Sequence, residues 1–314
     1  MATATAVPLI YGPRADRLRR RATYASVAVA LLLIAVKFAA WLDTGSVALL
    51  SSVIDSLLDG AAAIVNLLAV RHAMTPADRE HRFGHGKAEP LAVLGQSAFI
   101  TGSALLLLAE AARRLIQSAP VSNPPAGIAA MVLSIVVTVA LVMYQRHVVR
   151  RTGSIAITAD ELHYRSDVIL NGSVIAALVL SGLLGIQVLD PLFGGAIGVW
   201  IIWSAARLAR LALIQLMDQE LPDDERERIR EIAQSHPEVV AAHDLRTRVA
   251  GPTAFIQLHV EMDGAMSLIR AHEISDEVEA KLRSAYPNAE ILIHQDPEGV
   301  EEPRASFPRR VAVP

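Results

Sequence analysis

Residues 47–70 read VALLSSVIDSLLDGAAAIVNLLAV, an apolar run interrupted by two carboxylates, Asp55 and Asp59. The hydrocarbon core of a bilayer is about 30 Å thick and takes about 20 apolar residues of helix to cross. The run meets that length. A charged side chain near the bilayer centre costs about 2.5–3.5 kcal/mol on insertion scales, so a pair of them there demands a chemical reason. Spaced i, i+4, the two lie on one helix face, about 40° apart around the axis.

Five more apolar stretches of membrane length flank this one: Tyr24–Trp41, Leu91–Leu108, Gly127–Tyr144, Val168–Ile186 and Leu192–Leu213. The first is too long for a signal peptide, lacks a small-residue cleavage site and is soon followed by a second span. Lys37, near its end and beside Trp41, is expected to snorkel to the interface. Of the 314 residues 53% are hydrophobic, and the net charge is −3, so no electrostatic footprint for nucleic acid exists. Cysteine is absent, which excludes disulfides and thiolate ligands together. Any metal site must then use His and carboxylate, a set suited to Zn²⁺, Fe²⁺ or Mn²⁺ rather than Cu⁺. Nothing calls for an organic cofactor.

Basic residues set the expected orientation. They crowd the N-terminus (Arg14, Arg17, Arg19, Arg20, Arg21), the connection after the second span (Arg71, Arg79, Arg82, Lys87) and that after the fourth (Arg146, Arg150, Arg151, Arg165). The alternate connections hold only Arg113 and Arg114, read as interfacial anchors. Both termini are therefore expected in the cytoplasm.

Past Leu213 the composition turns charged and is broken by Pro222, Pro237 and Pro252. Asp223–Ser235 reads as a helix with an acidic first turn. From Phe255 to Met262 polarity alternates, Ile256, Leu258, Val260 and Met262 facing one way, Gln257, His259 and Glu261 the other. Ser267–Tyr286 reads as a second helix, with further strands near Val240–Val249 and Ala289–His294. The expected fold is an α-helical membrane protein of six transmembrane helices, followed by a small cytoplasmic α+β domain of two helices on a three-stranded sheet. A cytoplasmic segment over 1–23 precedes the membrane domain at 24–214. The α+β domain covers 219–300, and 301–314 reads as a disordered tail.

The fifth span opens with His163 and Asp167, again i, i+4. Two helices that each offer such a pair can close Asp55, Asp59, His163 and Asp167 around one ion in tetrahedral coordination. The spans hold no basic residue expected to neutralise these carboxylates, which favours a cation site over simple helix–helix hydrogen bonding. Asn66 and Asn171 suit the latter role.

These residues, with the strings HRFGHGKAEP at 81–90, HYRSD at 163–167, AHDLRTR at 242–248 and IHQDP at 293–297, resemble the cation diffusion facilitators. Within that family the chain is similar to the bacterial ferrous-iron and zinc efflux group. The resemblance covers roughly residues 20–300. It implies a homodimer in the bacterial inner membrane that exports a divalent cation in exchange for protons, with the four residues above as transport ligands. Because His163 must be neutral to bind metal, ion and proton occupancy compete at such a site.

The resemblance also assigns Asp78, His81 and His85 to a loop metal site, for which spacing alone gives only a weak signal. In the terminal domain His243, His259, His272, His294 and Asp296 exceed one tetrahedral shell, and the family pattern makes Asp296 a bridge between two ions, with Gln295 contributing. This domain is thereby implied to bind metal, to dimerise and to regulate transport. Lys87 and Asp218 are implied to form a hinge salt bridge. A membrane metalloenzyme is disfavoured, since four protein ligands leave no open position and no HExxH, P-loop or Ser/His/Asp string occurs. A non-transporting sensor would need no ligands at membrane depth. Zn²⁺ and Fe²⁺ are the expected substrates and regulatory ligands, with Cd²⁺ and Mn²⁺ chemically admissible.

Overall fold

A computed structural model describes residues 13–45, 47–116, 125–184 and 189–300. The expected tail at 301–314 and much of the N-terminal segment lie outside the described residues. The chain divides into two compact units, 1–217 and 218–314, each described by itself.

The first unit is six long helices: α1 (Pro13–Thr44), α2 (Val47–Ala73), α3 (Ala88–Ile116), α4 (Pro125–Thr152), α5 (Ile155–Leu184) and α6 (Leu189–Leu216). Its burial is inverted relative to a water-soluble bundle. Leu31, Leu57, Val65, Leu106, Val136, Met143 and Trp203 are exposed, whereas Ser26, Asn66, Gln145 and Asp160 are buried. Polar groups cannot be satisfied by hydrocarbon, so they turn inward and bond between helices. Where helices meet, the contacts are small. Ala156, Ala159 and Ala212 join Val70, Val93, Leu162 and Leu208 in one cluster, and Ala104 and Ala205 pack with Ile100 and Ile201 between α3 and α6.

Gly198 sits at that α3–α6 contact, where an added Cβ would stand 2.9 Å from Cγ and Cδ2 of Leu108. Gly198→Ala should therefore destabilise the unit by about 1–3 kcal/mol through overpacking, seen as a lower unfolding temperature in detergent. Gly198→Ala with Leu108→Ala should recover part of that loss.

The helices run well beyond the apolar stretches. Five of them are long and apolar enough to cross a membrane among the described residues, and α5 is the sixth. It begins at Ile155 rather than near Val168, because the polar residues of its first turns find partners inside the bundle. Gly153, with φ +62°, ends α4 in the left-handed region that glycine adopts without strain. Glu89, at the start of α3, then caps α5 from outside: its Oε1 accepts from Ser154 Oγ at 2.5 Å and from the Ala156 amide at 3.1 Å. Arg146 of α4 donates to Glu161 of α5 at 2.8 Å. The basic residues read as a connection after the fourth span are thus largely helical. Arg113 forms a bidentate pair with Glu110, both contacts 2.8 Å.

The second unit runs α7 (Asp223–Gln234), β1 (Ala241–Ala250), β2 (Thr253–Met262), α8 (Leu268–Ala285), β3 (Ala289–Pro297). The sheet order is β1-β2-β3, with β1 antiparallel and β3 parallel to β2. The alternation in β2 holds: Ile256, Leu258, Val260 and Met262 are buried against Ile229, Ile274, Val278 and Leu282. Ser267 caps α8, its side chain accepting from the Arg270 amide.

Candidate metal centre

In the membrane unit α2 and α5 bring Asp59, His163 and Asp167 together, with ligand atoms all within 4.8 Å of one another. His163 is buried, its Nε2 3.0 Å from Asp59 Oδ1 and 3.8 Å from Asp167 Oδ2. The His163 ring leans on Tyr164 and Phe99, which hold its orientation. Asp55 is not in that tight group, but it lines the same cavity of ≈ 140 Å³ with Asp59, Asp167 and Asn171. Lys37 lines it too, and its Nζ donates to Ser56 Oγ at 2.7 Å. This corrects two expectations: Lys37 points into the bundle rather than to an interface, and the carboxylates do have a basic neighbour. Hydropathy places a lysine by its height along the helix and says nothing of the face it occupies.

The connection between α2 and α3 gathers Asp78, His81 and His85 within the same 4.8 Å. Asp78 Oδ1 accepts from the backbone N–H of His81 at 2.7 Å and of Glu80 at 2.9 Å. The His81 N–H foremost holds the Asp78 carboxyl below its ordinary range, so it stays ionised at neutral pH and loses that support as the pH falls. His85 Nε2 faces Asp78 Oδ2 at 3.3 Å, and its Nδ1 lies 3.3 Å from the Thr75 carbonyl oxygen. A carbonyl behind an imidazole fixes which nitrogen is offered to an ion.

In the second unit the register lines up His243, His259 and His294 across all three strands. Asp296 closes the row: its Oδ2 lies 2.9 Å from His259 Nδ1 and 3.4 Å from His243 Nε2, its Oδ1 3.2 Å from His294 Nε2. Each carboxylate oxygen thus faces a different histidine neighbourhood. Both ring nitrogens of His243, and Asp296 Oδ1, are buried without a hydrogen-bond partner among the described residues. Such orphans are what a bound cation would satisfy. Glu261, which sequence reasoning left unassigned, stands 3.0 Å from His243 Nε2 on the same face; period-two spacing from His259 was its only signal.

Two expected ligands stand apart from this cluster in the protomer. His272 lies exposed on α8, 3.6 Å from Asp276. Gln295 points to the other face of β3, its amide donating to Ser275 Oγ at 2.9 Å, because strand alternation opposes it to His294 and Asp296. Asp218 lies 3.6 Å from Arg248 within its own unit.

A bundle of membrane-length helices with ion-ligand side chains gathered between them, joined to an α+β unit bearing a second such cluster, defines a polytopic membrane protein that handles cations. Residues 23–217 match the cation efflux transmembrane domain and residues 221–298 the cytoplasmic domain of cation efflux proteins. The chain belongs to this family, the cation diffusion facilitators, and is a cation efflux transporter. It is 50% identical to the cation-efflux pump FieF of Serratia proteamaculans over 285 residues, 91% of this chain and 95% of that one. It is also 50% identical to FieF of Cronobacter sakazakii over 281 residues, 90% and 93% of the two chains. Among solved structures, the metal-bound C-terminal domain of the CzcD transporter from Thermotoga maritima aligns at 28% identity and TM-score 0.25, over 26% of this chain and 100% of that domain.

Proposed function

We propose that this protein exports divalent transition-metal ions, Zn²⁺ and Fe²⁺ foremost with Cd²⁺ as a further substrate, from the cytoplasm in exchange for protons. The observation that carries the reading is the convergence of Asp59, His163 and Asp167 within 4.8 Å between α2 and α5. Asp55 is the fourth ligand, reached from the shared cavity. The donor set is one nitrogen and carboxylate oxygens, which suits Zn²⁺ and Fe²⁺ and excludes the soft-ligand preference of Cu⁺. When the ion leaves, a proton on His163 and the nearby Lys37 ammonium offset the carboxylates, so they are never bare inside the bilayer. Metal and proton therefore alternate in one place, which is antiport. The basic residues on alternate connections support termini in the cytoplasm and a bacterial inner-membrane setting.

The loop cluster Asp78, His81 and His85 and the sheet cluster His243, His259, His294 and Asp296 are accessory metal sites. The latter serves a homodimer whose arrangement responds to cytoplasmic metal. His272, exposed on α8, is a completing ligand of the sheet site, recruited as the protomers assemble.

Proteoliposomes loaded with a metal-sensitive dye test the transport reading. Zn²⁺ flux should follow an imposed pH gradient, and His163→Ala should lose both the flux and its pH dependence. Unchanged, pH-driven flux in that variant would sink the assignment. For the sheet site, Zn²⁺ at about a hundredfold over its Kd should stabilise the folded protein by about 2.7 kcal/mol, by mass action. His243→Ala with Asp296→Ala should abolish that share of the Zn²⁺-induced rise in unfolding temperature; a rise equal to the parent's would remove metal from this domain.

A further inference from the structure

The loop cluster supplies three ligand residues, and a structural zinc-type ion takes four. His72, in the last turn of α2, stands beside it. Its ring centroid is 4.5 Å from that of His85, and His81 flanks His85 on its own account at 4.6 Å. His85 therefore lies against two imidazoles at nearly equal spacing. With metal–nitrogen bonds of about 2.0–2.1 Å and tetrahedral angles, two imidazoles on one ion have ring centroids about 5 Å apart. The His72–His85 pair is close to that geometry. The nitrogens of His72 are not part of the mutual 4.8 Å group, which comprises Asp78, His81 and His85. Its side chain is exposed at a helix end, so a rotamer change meets no packed core. The Thr75 carbonyl, 3.3 Å behind His85 Nδ1, commits the other nitrogen of His85 to Asp78 and an ion.

We propose that His72 is the fourth protein ligand of the loop site, completing a three-His, one-carboxylate shell for a Zn²⁺-class ion. The proposal rests on the loop reading above and extends it. The same α2 carries Asp55 and Asp59, so an ion held by His72 grips the end of the helix that supplies two transport ligands. Loop occupancy then bears directly on where α2 sits.

The test uses the full chain with Asp59→Ala and Asp296→Ala, which disable the other two clusters, and Asp78→Ala added as the loop control. Co²⁺ absorption reports coordination and Zn²⁺ competition reports affinity. In this background His72→Ala and the size-conserving His72→Gln should each weaken Zn²⁺ binding by at least the roughly 10–100-fold that even an outer-shell partner of a ligand contributes. The visible Co²⁺ bands should shift and weaken as imidazole is replaced. Monodisperse elution and an unchanged unfolding temperature of the ion-free protein establish that both variants are folded. Metal bound in an Asp78-dependent way but with affinity and spectrum indifferent to His72 overturns the His72 assignment alone. No Asp78-dependent binding in the background protein overturns the loop site and His72 together.

Discussion

Asp59→Ala should abolish metal flux in proteoliposomes and weaken Zn²⁺ binding at the intramembrane site by about 100-fold or more. Asp59 is the carboxylate of α2 that reaches α5, 3.0 Å from His163 Nε2. Its loss removes a ligand and also the group that orients the imidazole, and outer-shell orientation alone is worth about 10–100-fold in metal sites. Each tenfold corresponds to about 1.4 kcal/mol, so the expected loss is about 3 kcal/mol of binding free energy. Asp55→Ala should cost less, because Asp55 lines the cavity without belonging to the tight group. Calorimetric titration of the two variants in one background checks the ranking. Equal losses would place the ion nearer Asp55, one turn along α2, and would require α2 to turn when it binds.

The sequence made this site readable because two i, i+4 pairs stood out against hydrocarbon. The helix carrying the second pair was harder to delimit. Hydropathy starts α5 near Val168, since Asp160, Glu161 and Arg165 look like a connection; the structure starts it at Ile155, with Ser26, Gln145, Arg146 and Glu89 as their or the helix end's partners. Tertiary partners of this kind lie 15 to 134 residues away in the chain, and no local pattern reports them. Lys37 failed in the same way, its depth legible and its direction not. In the terminal unit the hydrophobic alternation fixed which residues face the core. The row His243–His259–His294 depended on strand register, including an irregularity between His243 and Arg246, which composition does not encode. Gln295 shows the converse: resemblance grouped it with its neighbours, while the period of two sets its amide on the opposite face.

The second large effect is expected at a residue that faces no ion. Asp160 is buried one turn before His163 and joins three helices: its Oδ2 accepts from Ser26 Oγ of α1 at 2.5 Å and from Gln145 Nε2 of α4 at 2.7 Å. Tyr164, beside it on α5, donates to the Ser26 carbonyl oxygen at 3.3 Å. Truncation to Asp160→Ala removes the acceptor these two donors share in a dry interior, at about 1–3 kcal/mol for each hydrogen left unpaired. Ser26 has a local substitute, the Ala22 carbonyl oxygen at 3.1 Å, and Gln145 Nε2 keeps Ser26 Oγ at 3.0 Å, so the loss falls on the second N–H of the Gln145 amide, which is fully buried. The unfolding temperature in detergent should drop by several degrees, at about 2–4 °C per kcal/mol for a unit of this size. Flux should fall with it, because α5 loses the contacts that set the height of His163. The partner substitution separates a structural network from a chemical role: replacing both ends, as Asp160→Leu with Gln145→Leu, removes the stranded groups and should be less destabilising than the sum of the single changes. Recovered stability with recovered flux makes Asp160 a positioning residue. Recovered stability without flux would mean that its carboxylate takes part in moving protons, and an Asp160→Ala protein as stable as the parent would show that the three helices are held elsewhere.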